Sequence, residues 1–549
     1  MIDEMPKKID LLKQYAALNC LIVDDLPGMR GMIKRVIDNQ GMKRVDTAAT
    51  AVDAVQCCNN RSYDMVLCDY NLGQSQDGQQ LLENLRQKKL VSPTSLFLMI
   101  TGETSREMVL GAIELQPDDY IAKPFTPREF CKRLDRVMIK HLVLLPIKKL
   151  FAEGKYQEAL TAVNAMIERG GRFTTEAERL RGRILFLLGE LHKSREHYEK
   201  IIEQKPVPWA MLGLAETLVE LGALDQAEKM LHRVLKMDHR YVEAHDLLTR
   251  IHEQRAELEK AQEHTQLACD LSPKSVPRHR RLANLAELND DVDTSAQSYR
   301  QAIRWGANSV HECGADYLNY ARKVVEKAQS DGHKNKDDGN QALRQVRKAR
   351  ELFSEEPELD LQASLVEANI LKTFNLPEAD DACHQAKYQF EEKEAEDGET
   401  HLDYVRLLQT TGDQEKAQTE LQSLAEKHSK DVNFMRKLER LSAEPLSANA
   451  RANVARLTKS GIAAYKSKEY NEASRIFKEA LGLFPNHVGL NLNLVQVLLE
   501  CNEQALPEKD SGQIKRCFER VKDIGKDNSQ YGRAQALKGQ FEKAQKTSD

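Results

Sequence analysis

Small residues recur along this chain at an almost constant interval. Ala159, Ser194, Ala227, Ala261 and Ser295 stand 35, 33, 34 and 34 positions apart. Each closes a similar hexapeptide: Gly154-Lys155-Tyr156-Gln157-Glu158-Ala159, Gly189-Glu190-Leu191-His192-Lys193-Ser194 and Gly222-Ala223-Leu224-Asp225-Gln226-Ala227. Ala256-Glu257-Leu258-Glu259-Lys260-Ala261 and Asp290-Asp291-Val292-Asp293-Thr294-Ser295 continue the series. A turn five residues before a small residue, at a fixed period, describes a helical unit that cannot bury its apolar face alone and must stack on its neighbours. Pro206 and Pro273 each follow their small residue by twelve positions, where the unit breaks before its next helix. The pattern returns from Gly412 to Ala417, and again at Gly461, Glu469-Tyr470-Asn471-Glu472-Ala473, Phe477, Ala480 and Pro485. Between 311 and 400 it decays to Ala342, Ala349, Ala379 and Ala386, with a polar stretch at 331–340 that reads as an exposed loop. These marks divide the remainder into about five repeats over 141–310, degenerate helical repeats over 311–400 and further repeats over 401–500. Residues 501–549 read as capping helices and a tail.

The first 140 residues have a different grammar. After an N-terminal extension over 1–16, short apolar runs at 18–23, 44–47, 64–69, 95–100 and 119–122 alternate with helical patterns at 29–40, 50–59, 78–89 and 104–115. Thr126-Pro127-Arg128-Glu129 opens a last helix with an N-cap, a proline at the first helical position and a returning glutamate. Five such units call for a parallel sheet covered on both faces. No Gly/Ser or Pro-rich tether separates the last helix from the repeats, which begin near Lys140, so the two parts are expected to be mechanically coupled.

The strand ends carry the chemistry. The first ends in Asp24-Asp25, the third in Asp69, the fourth in Thr101 and the fifth in Lys123, and in a parallel sheet all of these lie on one rim. Three crowded carboxylates repel one another, and a hard cation with oxygen ligands, Mg²⁺, relieves the cost. A lysine and a hydroxyl beside them suit an incoming phosphoryl group, with an aspartate as the nucleophile that becomes an acyl phosphate.

On these residues, 17–140 resembles the receiver domains of two-component response regulators (CheY-like). The resemblance implies a five-stranded parallel doubly wound α/β sheet of order 2-1-3-4-5, with Asp69 as phosphoacceptor. It implies Mg²⁺ held by Asp25 directly, by Asp24 through water, and by Asp69 and the backbone carbonyl of Asn71. Thr101 becomes the switch hydroxyl, Tyr120 the aromatic that turns in behind it, and Lys123 the partner of the phosphoryl oxygens. Pro124 follows a cis peptide. The loop Asn71-Leu72-Gly73-Gln74-Ser75-Gln76-Asp77-Gly78 departs from the family, lacking its usual proline and running one residue longer. Asn71 and Glu103 occupy the positions that tune dephosphorylation, and their polar character implies a transient signal. The second part resembles tetratricopeptide repeats, an all-α superhelix with an extended concave surface, in which Ala159, Ser194, Ala227, Ala261, Ser295, Ala417 and Ala473 pack helix against helix.

Composition narrows the output. A net charge of -5, from 80 basic and 85 acidic residues, leaves no electrostatic footprint for nucleic acid or an acidic membrane. No apolar run is long enough to span a bilayer, and the first residues have no secretory h-region. Ten cysteines without a C-x-x-C pair read as buried thiols in a reducing cytoplasm. His192, His197, His232, His239, His245, His252 and His264 read as residues of solvated helix faces, and Trp209 and Trp305 as packing between repeats. The chain shows no helix-turn-helix stretch and no GGDEF or E-x-L signature. It is therefore expected to be no enzyme beyond its own phosphoryl chemistry. The architecture resembles that of VieB-type repeat-bearing response regulators. A sensor histidine kinase or phosphotransfer domain is expected to phosphorylate Asp69, and the repeats to gain or lose a protein ligand, another response regulator included. Its rivals are a phosphate sink or relay intermediate and a constitutive scaffold. A homodimer is compatible with both parts.

Overall fold

Alternate residues of each apolar run face opposite sides of one parallel sheet. Its strands are β1 Asn19–Val23, β2 Arg44–Ala48, β3 Met65–Asp69, β4 Leu96–Thr101 and β5 Asp119–Ala122, in the order β2-β1-β3-β4-β5. Cys20, Ile22, Met65, Leu67, Leu98 and Ile100 pack on one face under helices Pro27–Asn39 and Pro127–Ala152. Leu21, Val23, Val66, Cys68, Phe97 and Met99 pack on the other with helices Ala51–Asn60 and Gly78–Gln87. β3 and β4 are buried along their whole length, as central strands covered on both faces must be. The computed structural model describes residues 10–73, 76–102, 117–331, 334–393, 397–501, 507–522, 525–526 and 528–548. The capping sequence Thr104-Ser105-Arg106-Glu107 and the helix expected over 104–115 lie outside them.

The chain forms two compact units, residues 1–285 with 301–312, and residues 286–300 with 313–549. In the first, one helix joins the sheet to the repeats. Pro127–Ala152 is capped by Thr126, whose hydroxyl accepts from Glu129 N while the Glu129 carboxylate accepts from Thr126 N. Its first half buries Phe130, Leu134, Val137 and Met138 against the sheet. Its second half buries Ile147 with Ala159, Val163, Ala177 and Ile184 of the first helical hairpins. The helix runs on through Pro146. Leu11–Ala17, which overlaps the end of the stretch 1–16 read as an extension, is also helical. Its Tyr15 is fully buried and donates to Asp135 at 2.7 Å, which fastens it to the long helix.

From Tyr156 the described residues form paired helices. Ala159, Ser194, Ala227, Ala261, Ser295, Ala417 and Ala473 are all at most 1% exposed. Where aromatic rings cross between helices the opposite position is bare: a Cβ on Gly182 or on Gly213 would lie 2.4 Å from the Tyr198 ring. The residue that opens each hexapeptide is left-handed, at Gly154, Gly189, Gly222, Ala256, Asp290 and Gly412. Glycine adopts that conformation without steric cost, whereas Ala256 at φ +56° does not.

Three expectations change. The polar stretch 331–340 is not one long loop, because helix Lys336–Leu352 already begins inside it. Asn335 accepts from Asp337 N, Asp337 and Asp338 complement the helix N-terminus, and Gly339 lies where a Cβ would meet Phe374 at 2.7 Å. Several histidines are buried rather than solvated. His197 is hydrogen-bonded to the Glu178 carbonyl at 2.9 Å, His252 to Glu257 at 2.8 Å, and His245 Nδ1 lies 3.2 Å from His264 Nδ1. The His252 ring stacks on His264 at 5.3 Å. Trp209 does pack between helices, edge-on to Tyr198, but Trp305 has a different neighbourhood, described below. In the second unit Arg322 pairs with buried Asp403, and Arg406 donates to the same carboxylate at 2.8 Å. Among the described residues no helix is long and apolar enough to cross a membrane.

Replacing Ala256 by glycine removes the left-handed strain, so Ala256→Gly is expected to stabilise the protein by roughly 1 kcal/mol in urea unfolding. Burial, and then the neighbouring His245 and His252, hold the His264 imidazole down at about 4 from its ordinary 6.5. Between those values the unfolded chain binds more protons than the folded one, so stability falls as pH drops through that window. Melting curves of wild type and His264→Gln should therefore diverge between pH 6.5 and about 4, with wild type losing more.

Candidate functional site

The parallel register delivers the polar residues to one edge. Asp69 pairs with Ile100 and Thr101 with Ala122, so Thr101 stands one residue beyond the partner of Asp69 on the adjoining strand. Tyr70 N donates to Ile100 O at 2.8 Å and Lys123 N to Thr101 O at 2.7 Å, which carries the ladder just past the last strand residues. Carboxylate oxygens of Asp24, Asp25 and Asp69 lie within 4.8 Å of one another. Asp24 is 1% and Asp69 5% exposed, while Asp25 faces solvent. Lys123 bridges the two buried ones, 3.0 Å from Asp24 Oδ2 and 2.8 Å from Asp69 Oδ2. The Lys123–Pro124 peptide is cis.

Burial raises the Asp69 pKa, the Lys123 ammonium offsets part of that, and Asp24 adds to it. Lys123 is pulled down by burial, yet its ion pairs with Asp69 and Asp24 prevail and raise it, so it is a fixed positive charge. Three carboxylates against one ammonium leave negative charge uncompensated. Hard oxygen donors in that number, two of them sheltered from water, fit a divalent cation such as Mg²⁺. Asp24, Asp25 and Asp69 would hold it, and when bound it would neutralise the oxygens of a phosphoryl group at Asp69.

Thr101 is buried at the rim. Tyr120 is half-buried, and its hydroxyl meets no hydrogen-bond partner among the described residues. Burial, reinforced by Tyr70 and moderated by Arg86, raises its phenol pKa. Asn71 is exposed at the mouth of the site, Leu72 is buried beneath it, and Gly73 takes a φ of +86°. The longer loop is closed by Gly78 N donating to Tyr70 O at 2.7 Å. A Cβ on Gly78 would stand 2.3 Å from the Asp69 carbonyl oxygen and 3.0 Å from Cys68 Sγ, so the helix start is pressed against the end of β3. Glu103 lies outside the described residues.

Sequence reasoning missed what touches this loop from the repeats. Lys274 Nζ donates to Tyr70 Oη at 2.8 Å and to Asp77 Oδ2 at 2.7 Å, and lies over the rings of Tyr70 and Trp305 at 4.8 and 5.5 Å. Gln80 Nε2 donates to Trp305 O at 3.2 Å, Gln76 to Asn308 O, and His311 lies 3.7 Å from Glu83. The signal available was a lysine after Pro273 at a repeat turn, which any solvated lysine also satisfies.

Gly78→Ala forces backbone apart beside Asp69. It is expected to cost about 1–3 kcal/mol of stability by denaturant unfolding, the ordinary cost of overpacking.

Residues 20–135 match the family model of the response regulator receiver domain. Residues 148–207 and 185–251 match two tetratricopeptide repeat models. The chain is similar to the chemotaxis protein CheY-3 of Vibrio cholerae, 31% identical over 120 residues that span 22% of this chain and 91% of that protein. It is 30% identical over 131 residues to the alkaline phosphatase synthesis transcriptional regulatory protein PhoP of Bacillus subtilis, spanning 24% of this chain and 52% of that one. Among solved structures it is similar to the chemotaxis response regulator CheY4 of Vibrio cholerae, at 27% identity and a TM-score of 0.21, covering 22% of this chain and 98% of that one.

Proposed function

This chain belongs to the response regulators through the receiver domain at residues 20–135, and from that premise we propose that Asp69 accepts a phosphoryl group and thereby controls protein binding by the repeats. The donor is a phosphohistidine on a sensor kinase or phosphotransfer domain. The observation that carries this reading is the bridge of Lys123 between Asp24 and Asp69, with Asp25 beside them at the rim.

The residues divide the work as follows. A carboxylate oxygen of Asp69 attacks phosphorus, the P–N bond to histidine breaks, and an acyl phosphate forms on Asp69. Lys123 exchanges its carboxylate contact for the phosphoryl oxygens and holds part of their charge. Thr101 donates to the same oxygens from the adjoining strand. Tyr120, whose hydroxyl has no described partner to lose, turns toward the space that Thr101 leaves. Asp25, Asp69 and the carbonyl of Asn71, with Asp24 through water, would hold the Mg²⁺ that offsets the phosphoryl charge. The repeats supply the output surface, and the ligand is a protein, another response regulator among the candidates. We assign the chain no catalysis beyond its own phosphoryl transfer and hydrolysis.

With acetyl phosphate and Mg²⁺, the protein should give a retarded band on a phosphate-affinity gel. The band should vanish in Asp69→Ala, and chelation of the metal should abolish it in wild type. Pull-downs with wild type, Asp69→Ala and a beryllofluoride-loaded form should then capture different amounts of the repeat ligand. Equal capture in all three contradicts control by Asp69, and capture of the kinase alone favours a phosphate sink.

A further inference from the structure

The loop that follows the phosphoacceptor is held by the repeats. Lys274 stands in the turn between helices Leu258–Leu271 and Val276–Leu288, where the fourth repeat passes into the fifth. Its side chain is 15% exposed, and both hydrogen-bond acceptors named above belong to the loop between β3 and helix Gly78–Gln87. Tyr70 is the residue after Asp69. Asp77 is the N-cap of that helix, accepting from Gln80 N at 2.9 Å. Gly78 N closes the loop on Tyr70 O, so the two acceptors move as one body. Trp305, Asn308 and His311 flank the lysine from the repeat side, against Gln80, Gln76 and Glu83.

We propose that this contact is the output device of the receiver: Lys274 latches the unphosphorylated loop to the junction of the fourth and fifth repeats, and phosphorylation of Asp69 opens the latch. The inference rests on the phosphoacceptor reading above and adds where the signal leaves the receiver. It leaves through the β3 loop and Tyr70, in addition to any change on the face around β5 and the long helix.

Three observations give the latch two states. The Lys123–Asp69 ion pair belongs to a free carboxylate, and the latch is closed in the same structure. Tyr120, the aromatic expected to move, packs against the core cluster that contains Tyr70. A movement behind Thr101 therefore reaches the ring whose hydroxyl holds Lys274. Finally, a largely buried ammonium tolerates little misalignment, because losing its partners leaves a charge without water or counter-ion. The contact is thus closed or open rather than gradually loosened, as a switch requires. Burial pulls the Lys274 pKa down, but Asp77 and Tyr70 raise it further, so the lysine stays charged.

Coupling of this kind is reciprocal. If loading the receiver opens the latch, removing the latch tightens loading by the same factor. Lys274→Met keeps the apolar stem and removes the charge, and Tyr70→Phe removes one acceptor with the ring left in place. Both should bind beryllofluoride with Mg²⁺ more tightly than wild type, by about fivefold or more for Lys274→Met, at the lower end of ordinary allosteric coupling. A direct readout comes from Trp305, since the chain has 2 tryptophans and Trp209→Phe leaves it as the sole reporter. In that background, beryllofluoride should shift Trp305 emission to the red and increase its quenching by acrylamide. In Lys274→Met the shifted emission should be present from the start and change no further. Normal phosphorylation of Asp69 with unchanged Trp305 emission, and unchanged beryllofluoride affinity in Lys274→Met, overturns the latch and leaves the phosphoacceptor intact. Failure of Asp69 to be phosphorylated at all overturns both.

Discussion

Lys123 sits between Asp24 and Asp69, and the site depends on that one ammonium. Two carboxylates buried side by side at the end of a parallel sheet repel each other, and burial opposes the ionisation of Asp69. Removing one partner from a buried ion pair leaves an uncompensated charge at a cost of about 3–5 kcal/mol. The sheet can therefore hold Asp69 deprotonated only while a positive charge stands beside it. The parallel register brings that charge from the end of β5, Asp24 from the end of β1 and Asp69 from β3. Negative charge still left over makes the same edge receptive to a divalent cation and then to a phosphoryl group.

The receiver and the repeats are joined twice within the first unit. The helix Pro127–Ala152 is shared, with one end in the core of the sheet and the other in the core of the first repeat hairpins. A helix held by two cores cannot swing as a tether swings. The second joint, at Lys274, is made of polar groups in place of a hydrophobic core. One joint fixes the frame and the other can open without unfolding either part. In the proposed switch, that division lets a change of charge at Asp69 become a change of contact at the repeats.

Much of this was legible in the sequence. The strands could be read because buried central strands are short apolar runs, and the site because four of the five runs end in groups whose chemistries fit one another. The repeats were legible through Gly154, Gly189, Gly222 and Gly412, whose left-handed turns favour glycine. They remained legible at Ala256 and Asp290 because the small residue five positions on kept the register. What escaped was contact between residues far apart in the chain. Nothing near Tyr70 announces Lys274, and nothing near Lys274 distinguishes it from a solvated lysine. His245, His252 and His264 sit at spacings that also suit an exposed helix face, and only the fold brings their rings against one another. Tyr15 carries no such signal, because the seven residues of Leu11–Ala17 have a weak pattern and become a helix through the long helix they lie on.

The central claim is that the phosphoacceptor loop and the repeat turn at Lys274 are one switch. Hydrogen exchange followed by mass spectrometry, on the full chain with and without beryllofluoride and Mg²⁺, reads it directly. Peptides covering 70–83, 270–280 and 301–312 should lose protection together on loading, in wild type and not in Asp69→Ala. Loss of protection confined to the receiver, with 270–280 and 301–312 unchanged, would contradict the account.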